Sequence, residues 1–104
     1  MVRSESYALL DIIADFMLKY PDLKLRIVAH TCKTGSREYN MDLSERRAKT
    51  IMNHLVSRGV PPPSIRFRGA GFDEPVADNA TDEGRQKNRR VEFRFTEREW
   101  NSVY

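Results

Sequence analysis

Apolar positions recur along this chain with two different periods, and the switches between them mark its elements. In residues 6–19, Leu9, Ile12, Ile13 and Phe16 fall at i, i+3, i+4 and i+7, the spacing of one helical face. Ser4 or Ser6 can cap the start of this helix, and Tyr20-Pro21-Asp22 ends it, because a residue before proline is driven out of the helical region. Residues 23–30 change to a period of two, a strand with Leu23, Leu25, Ile27 and Ala29 on one side. Val28 points the other way, so the second half of the strand is expected to be covered on both faces. A loop rich in turn formers, 31–39, leads to a second helix over about 40–57, with Asn40 preferred to Ser44 as its N-cap. Ala48, Ile51, Met52 and Leu55 are its apolar stripe. Gly59 is expected just past its end, and Pro61-Pro62-Pro63 forbids continuation.

The second half is more polar. Residues 64–71 alternate Ile65 and Phe67 with Arg66 and Arg68, a strand ending in glycines. Residues 72–88 form a long connection with a helical turn that Thr81 can cap. Residues 89–96 are the last strand, with Val91, Phe93 and Phe95 on one face, and Trp100 and Tyr104 in the tail are candidates to pack back on the body. The order helix, strand, helix, strand, strand predicts a two-layer α/β sandwich with helices on one face of a single sheet. No repeat or linker interrupts it, so residues 1–104 read as one domain with a core over about 4–96 and a tail over 97–104.

Composition narrows the function without choosing one. Hydrophobic residues are 39% and charged residues 32% of the 104, a balance that argues against disorder. A formal net charge of +3 favours anionic partners of any kind. One cysteine, Cys32, excludes an intrachain disulfide. No apolar run approaches the roughly 20 residues of a bilayer span, and no signal-peptide pattern opens the chain. A leader or membrane anchor is therefore expected to lie outside this chain.

Catalytic chemistry is poorly supported. His30 and Cys32 share a side of the chain but have no third group to orient them, and His54 falls on the expected solvent side of the second helix. No zinc-ligand spacing and no glycine-rich phosphate loop occurs, so neither metal nor cofactor is expected. The basic residues say more: Arg46-Arg47 near the start of the second helix, and Arg85, Lys87 and Arg89-Arg90 before the last strand. They are either a solvated face or an anion site, since the arginine fork binds carboxylate and phosphate bidentately.

Two blocks resemble the OmpA-like domain family. The first is AHTCKTGSREYNMDLSERRA, 29–48, and the second is GAGFDEPVADNATDEGRQKNRRVE, 69–92. The resemblance rests on His30-Thr31, Gly35, Tyr39-Asn40, Leu43-Ser44, Arg47-Ala48, Gly69, Gly71, Pro75, Asn79, Thr81, Gly84-Arg85 and Asn88 through Val91, in order and at matching separation. With the connecting elements it spans about residues 4–95. It implies an OmpA-like mixed sheet and a non-enzymatic grip on bacterial peptidoglycan, through the diaminopimelate of the stem peptide, in the periplasm. The implied site residues are Thr31, Cys32, Asn40, Arg47, Asn88 and Arg89, with Arg47 taking the ligand carboxylate. The membrane enters only through a tether outside the chain.

This chain departs from the family at two places. The family aspartate that takes the ligand ammonium is here Cys32, whose neutral thiol is a poor acceptor. The family's first strand, which pairs with the last, has no counterpart, because Met1-Val2-Arg3 is too short to form it. Residues 90–96 then become a sheet edge, open to pairing with a second chain. The rival reading is a protein–protein interaction domain with its wall site degraded at Cys32. A nucleic-acid binder ranks below both, because the aromatics fall on core-facing positions and not among the arginines.

Overall fold

The computed structural model describes residues 4–97, with side chains from residue 7 onward, so Trp100 and Tyr104 lie outside the described residues. Helix α1 spans Ser4–Lys19, strand β1 Lys24–His30, helix α2 Arg37–Ser57, strand β2 Ile65–Gly71, helix α3 Asp82–Asn88 and strand β3 Val91–Thr96. A 3-10 turn, Pro62–Ser64, follows the proline run. Among the described residues the sheet has three strands in the order β2-β1-β3, with β1 parallel to β2 and antiparallel to β3. The result is a mixed sheet with helices on one face, and among the described residues β3 is its last strand on that side.

The face that α1 buries differs from the one its periodicity suggested. Leu10, Ile13, Ala14 and Met17 are buried, whereas Leu9, Ile12 and Phe16 are exposed. Both sets have helical spacing and they share Ile13, so the pattern alone does not choose between them. The buried set packs against Leu25, Ile27 and Ala29 of β1 and against Ala48, Ile51 and Leu55 of α2. Val28 is fully buried, as its position on the outer face of a covered strand requires.

Helix α2 begins one turn earlier than expected. Ser36 is its N-cap and accepts a hydrogen bond from the Tyr39 N–H. Asn40 is instead buried inside the first turns, and its amide donates to the backbone carbonyls of Thr34 and Ser36. At the other end Gly59 adopts a left-handed φ of 105°, which closes the helix. His54 is not on a solvent face: its Nε2 lies 2.8 Å from Asp11 of α1, and its ring stacks on Tyr7 at 4.7 Å.

Close approach of α2 to β2 sets the depth of the two layers. A Cβ on Gly69 would stand 2.3 Å from the backbone nitrogen of Glu45 and 2.6 Å from Ser44 Oγ. The Ser44 hydroxyl, fully buried there, accepts the Gly71 N–H and donates to the Met41 carbonyl. On the opposite face of the sheet, Glu92 is the hub of a charged group. It accepts from Arg94 at 2.6 Å and Arg90 at 3.0 Å, and His30 Nε2 lies 3.3 Å away. Burial would raise the Glu92 carboxyl, but hydrogen bonds from Arg94, Arg90 and His30 outweigh it and hold the group at about 2. Burial and Arg90 push His30 down, so it stays neutral near pH 7.

Two outcomes are expected. Gly69→Ala should lower stability by about 1–3 kcal/mol, because backbone on the far side of the contact must move, and a urea titration reads the loss. The Glu92 carboxyl is depressed in the folded chain, so its contribution is present above the ordinary carboxylate range and is lost as pH falls from 4.5 through about 2. Glu92→Gln should cost about 2 kcal/mol at pH 7, discounted for partial exposure, and flatten the acid limb of the stability curve in that window.

Candidate functional site

Because β1 and β2 are parallel, their carboxyl ends open on the same rim of the sheet, the usual place for a ligand in such sheets. The loop 31–36 leaves β1 there and runs directly into the N-terminus of α2. The connection after β2 leaves the same rim and returns through α3. Three segments therefore meet at one end, and asparagine side chains hold them together.

Asn79 and Asn88 make the central links. The Asn88 Oδ1 accepts the backbone N–H groups of Val76 and Ala77, and its amide donates to the Ala77 carbonyl and to Asn79 Oδ1. Asn79 Oδ1 also accepts the Lys33 N–H at 3.0 Å, tying the first loop to the second across 46 residues. Arg85 donates to the Asn79 carbonyl, and Thr81 caps α3 by accepting the Gly84 N–H. Arg37 clamps the start of α2 to Asp73 at 2.6 Å. Asn88 and Asn40 thus spend their amide groups on the loops. They fix the loops that border this rim.

Cys32 lies inside these walls, 4% exposed. Arg89 Nη1 donates to its sulfur at 3.2 Å, and Thr34 Oγ1 is 3.5 Å from it. Burial opposes ionisation of the thiol, but hydrogen bonding to Thr34 and Arg89 and the Arg89 charge outweigh it and lower the thiol below its ordinary value. The cation beside the sulfur is Arg89, which reaches it across 57 residues. Thr31 is also buried; its N–H donates to the Gly71 carbonyl, and its Oγ1 makes no hydrogen bond among the described residues.

Arg47 stands apart from this network. It borders the buried stripe Asn40, Ser44 and Ala48 of α2 and is half-buried. Arg46 next to it pairs with Asp42 at 2.8 Å, but Arg47 has no hydrogen bond or ion pair with any described residue. Of the six residues expected at the site, then, Cys32 and Arg89 touch, Asn40 and Asn88 fix the adjoining loops, and Thr31 closes the floor. Arg47 is the half-buried cation still able to take an anion. Sequence reasoning missed the part played by Thr34, Asn79 and Arg85, although Asn79 and Arg85 belong to the quoted blocks. Among the described residues no group of three His, Cys, Asp or Glu side chains could hold a metal ion.

The chain is similar to several proteins of known identity. Outer membrane porin F of Pseudomonas fluorescens is 45% identical over 92 residues, which is 88% of this chain and 28% of that protein. The peptidoglycan-binding protein ArfA of Mycobacterium bovis is 45% identical over 87 residues, 84% of this chain and 27% of that protein. The chain thus spans under a third of either curated relative. The crystal structure of the peptidoglycan-associated lipoprotein from Burkholderia pseudomallei shares the fold with a TM-score of 0.87 at 26% identity, over 91% of this chain and 80% of that one. Residues 2–89 match the model of the OmpA family, and the chain belongs to that family.

Proposed function

We propose that this chain binds bacterial peptidoglycan non-covalently, through the diaminopimelate of the stem peptide, and so holds a parent envelope protein to the wall from the periplasm. It is a binding module and not an enzyme. Two of its relatives carry peptidoglycan in their names, and others are outer-membrane proteins. The observation that carries the reading is Arg47. A half-buried guanidinium without an internal partner, on the helix bordering the carboxyl ends of two parallel strands, suits a ligand carboxylate. Pairing of two copies through residues 90–96 belongs to the same reading.

The ammonium of diaminopimelate needs an anion on the other side of the site. Cys32 is the candidate, since Arg89 and Thr34 lower its thiol toward the anionic form against the effect of burial. The same contact also supports the rival reading of a protein–protein interaction domain: Arg89 already occupies one side of the sulfur and competes with a ligand ammonium.

Two substitutions test this site. Arg47→Ala should weaken binding of a diaminopimelate-containing muropeptide tenfold or more, since a charge-assisted hydrogen bond contributes about 1.5–3 kcal/mol. Unchanged affinity in a folded variant would remove Arg47 from the site. Cys32→Asp should strengthen binding by a similar factor at pH 6–8, because its carboxylate is charged throughout that range. In the native protein the sulfur is neutral below the thiol pKa and anionic above it, so affinity should rise with pH. If Cys32→Asp binds no better and native affinity is flat across that range, the site serves another partner.

A further inference from the structure

The alternation that aims Leu25, Ile27, Ile65, Phe67 and Phe93 at the helices aims a different set at the other face of the sheet. That face carries Lys24, Arg26, Arg66, Arg68 and Arg94 against one strand acid, Glu92. The three strands thus hold more positive charge than the net +3 of the whole chain, and the remainder is slightly acidic. Register gathers this charge. Arg26 is the Cα partner of Arg66 on one side and of Arg94 on the other, so three arginines stand abreast across the sheet. Lys24 flanks this row on β1, and Arg68 flanks it on β2. Like charges directly opposite one another weaken strand pairing, so the row costs the fold stability that an external anion would return.

Two neighbouring acids are already shared out within the face. Glu92 accepts from Arg94 at 2.6 Å and from Arg90 at 3.0 Å. Glu74, in the connection after β2, accepts from Arg68 at 2.9 Å. Arg66 and Arg94 are exposed, and the Arg68 side chain is 40% exposed. This face is distinct from the surfaces described above. Helices α1 and α2 pack on the opposite side of the sheet, and Cys32 stands on the rim at the carboxyl end of β1.

We propose that the basic face rests on a phospholipid surface bearing anionic headgroups, a direct contact in addition to the tether that the family resemblance implies. The layout of the charge selects this partner. Strands about 4.8 Å apart, with same-face residues about 7 Å apart along each, spread the cations over roughly 10 by 13 Å, an array in two dimensions and not a line. Arginine forks take phosphate oxygens bidentately, and basic clusters of this size are drawn to anionic lipid within about a Debye length. A single-stranded nucleic acid would need aromatic rings on which to stack its bases. Phe67, Phe93 and Phe95 point instead to the helix side, where Phe95 meets Phe16 of α1. With the sheet face on the membrane, the strands lie along it and the rim with Cys32 stays open, so both surfaces can be occupied at once.

Flotation of the full chain with lipid vesicles tests the proposal. Phosphatidylcholine vesicles containing about one-third phosphatidylglycerol should bind the protein tenfold or more better than phosphatidylcholine alone. Raising the salt from about 0.05 M to about 0.5 M should release it. Lys24→Gln combined with Arg66→Gln removes two cations from the face; it should keep the circular dichroism spectrum and lower vesicle binding tenfold or more. Arg94→Gln should weaken binding from the other end of the arginine row. Arg46→Gln combined with Lys49→Gln removes as much charge from exposed positions of α2 and should leave vesicle binding unchanged. A native chain that ignores the anionic vesicles overturns the proposal, as does binding that the face variants retain. An equal loss in the α2 variant also overturns it, since the attraction would then be one of net charge alone. Tighter binding to soluble polyglutamate or to an oligonucleotide than to the anionic vesicles would overturn it in favour of another macromolecule on this face.

Discussion

The contact on which the rest of the site depends is the close packing of α2 on β2. Gly69 has no room for a side chain, because the backbone of Glu45 and the Ser44 hydroxyl fill the space where one would stand. Ser44 turns this approach into a fixed register by accepting the Gly71 N–H while donating within its own helix. A helix held so near the sheet brings its first turns to the carboxyl ends of the parallel strands. That places Asn40 against the loop after β1 and leaves Arg47 on the border of the buried stripe. With a larger residue at 69 the helix would ride higher, and both relations would change together.

Many polar groups at the rim are already engaged within the fold. Backbone groups of loops cost free energy if buried without partners. Asn88, fully buried, satisfies three of them and also bonds Asn79, while Asn40 takes two carbonyls. Arg37 and Arg85 serve similar ends through Asp73 and the Asn79 carbonyl. Rigid walls of this kind reduce the ordering cost of binding, because the loops are set before a ligand arrives. Arg47 is left with its donors unspent. Cys32 and Arg89 form an intermediate case, a polarised pair inside those walls.

Much of the fold was legible in the sequence because it is a matter of period. The strands, the apolar stripe of α2, the Thr81 cap and Gly59 past the helix end all appear where local pattern puts them. The order of the two quoted blocks was enough to bring Cys32, Arg47 and Arg89 into consideration. What the pattern could not carry was the choice between equivalent local solutions. Asn40 is a good N-cap residue, and Ser36 is another; the structure uses Ser36 because the Asn40 amide is needed by the Thr34 and Ser36 carbonyls. The Cys32–Arg89 contact joins residues 57 apart through side-chain direction alone, which no spacing rule encodes. Likewise, His54 sits at a helical position that looks solvated until α1 brings Asp11 and Tyr7 over it.

Helix α1 illustrates the same limit and shows what lies behind it. Leu9, Ile12 and Phe16 make as good a helical face as Leu10, Ala14 and Met17, with Ile13 common to both. A helix apolar over so wide an arc matches burial on two sides, not one. The core covers one stripe, and the other stays exposed beside β3. The exposed stripe and β3 meet on that side of the sheet, where the ring of Phe16 lies 6.0 Å from that of Phe95. This side is formed by α1 and β3, whereas the rim with Cys32 is formed by α2 and the loops after β1 and β2. The two surfaces are built from different side chains, and substitutions at one should leave the other unchanged.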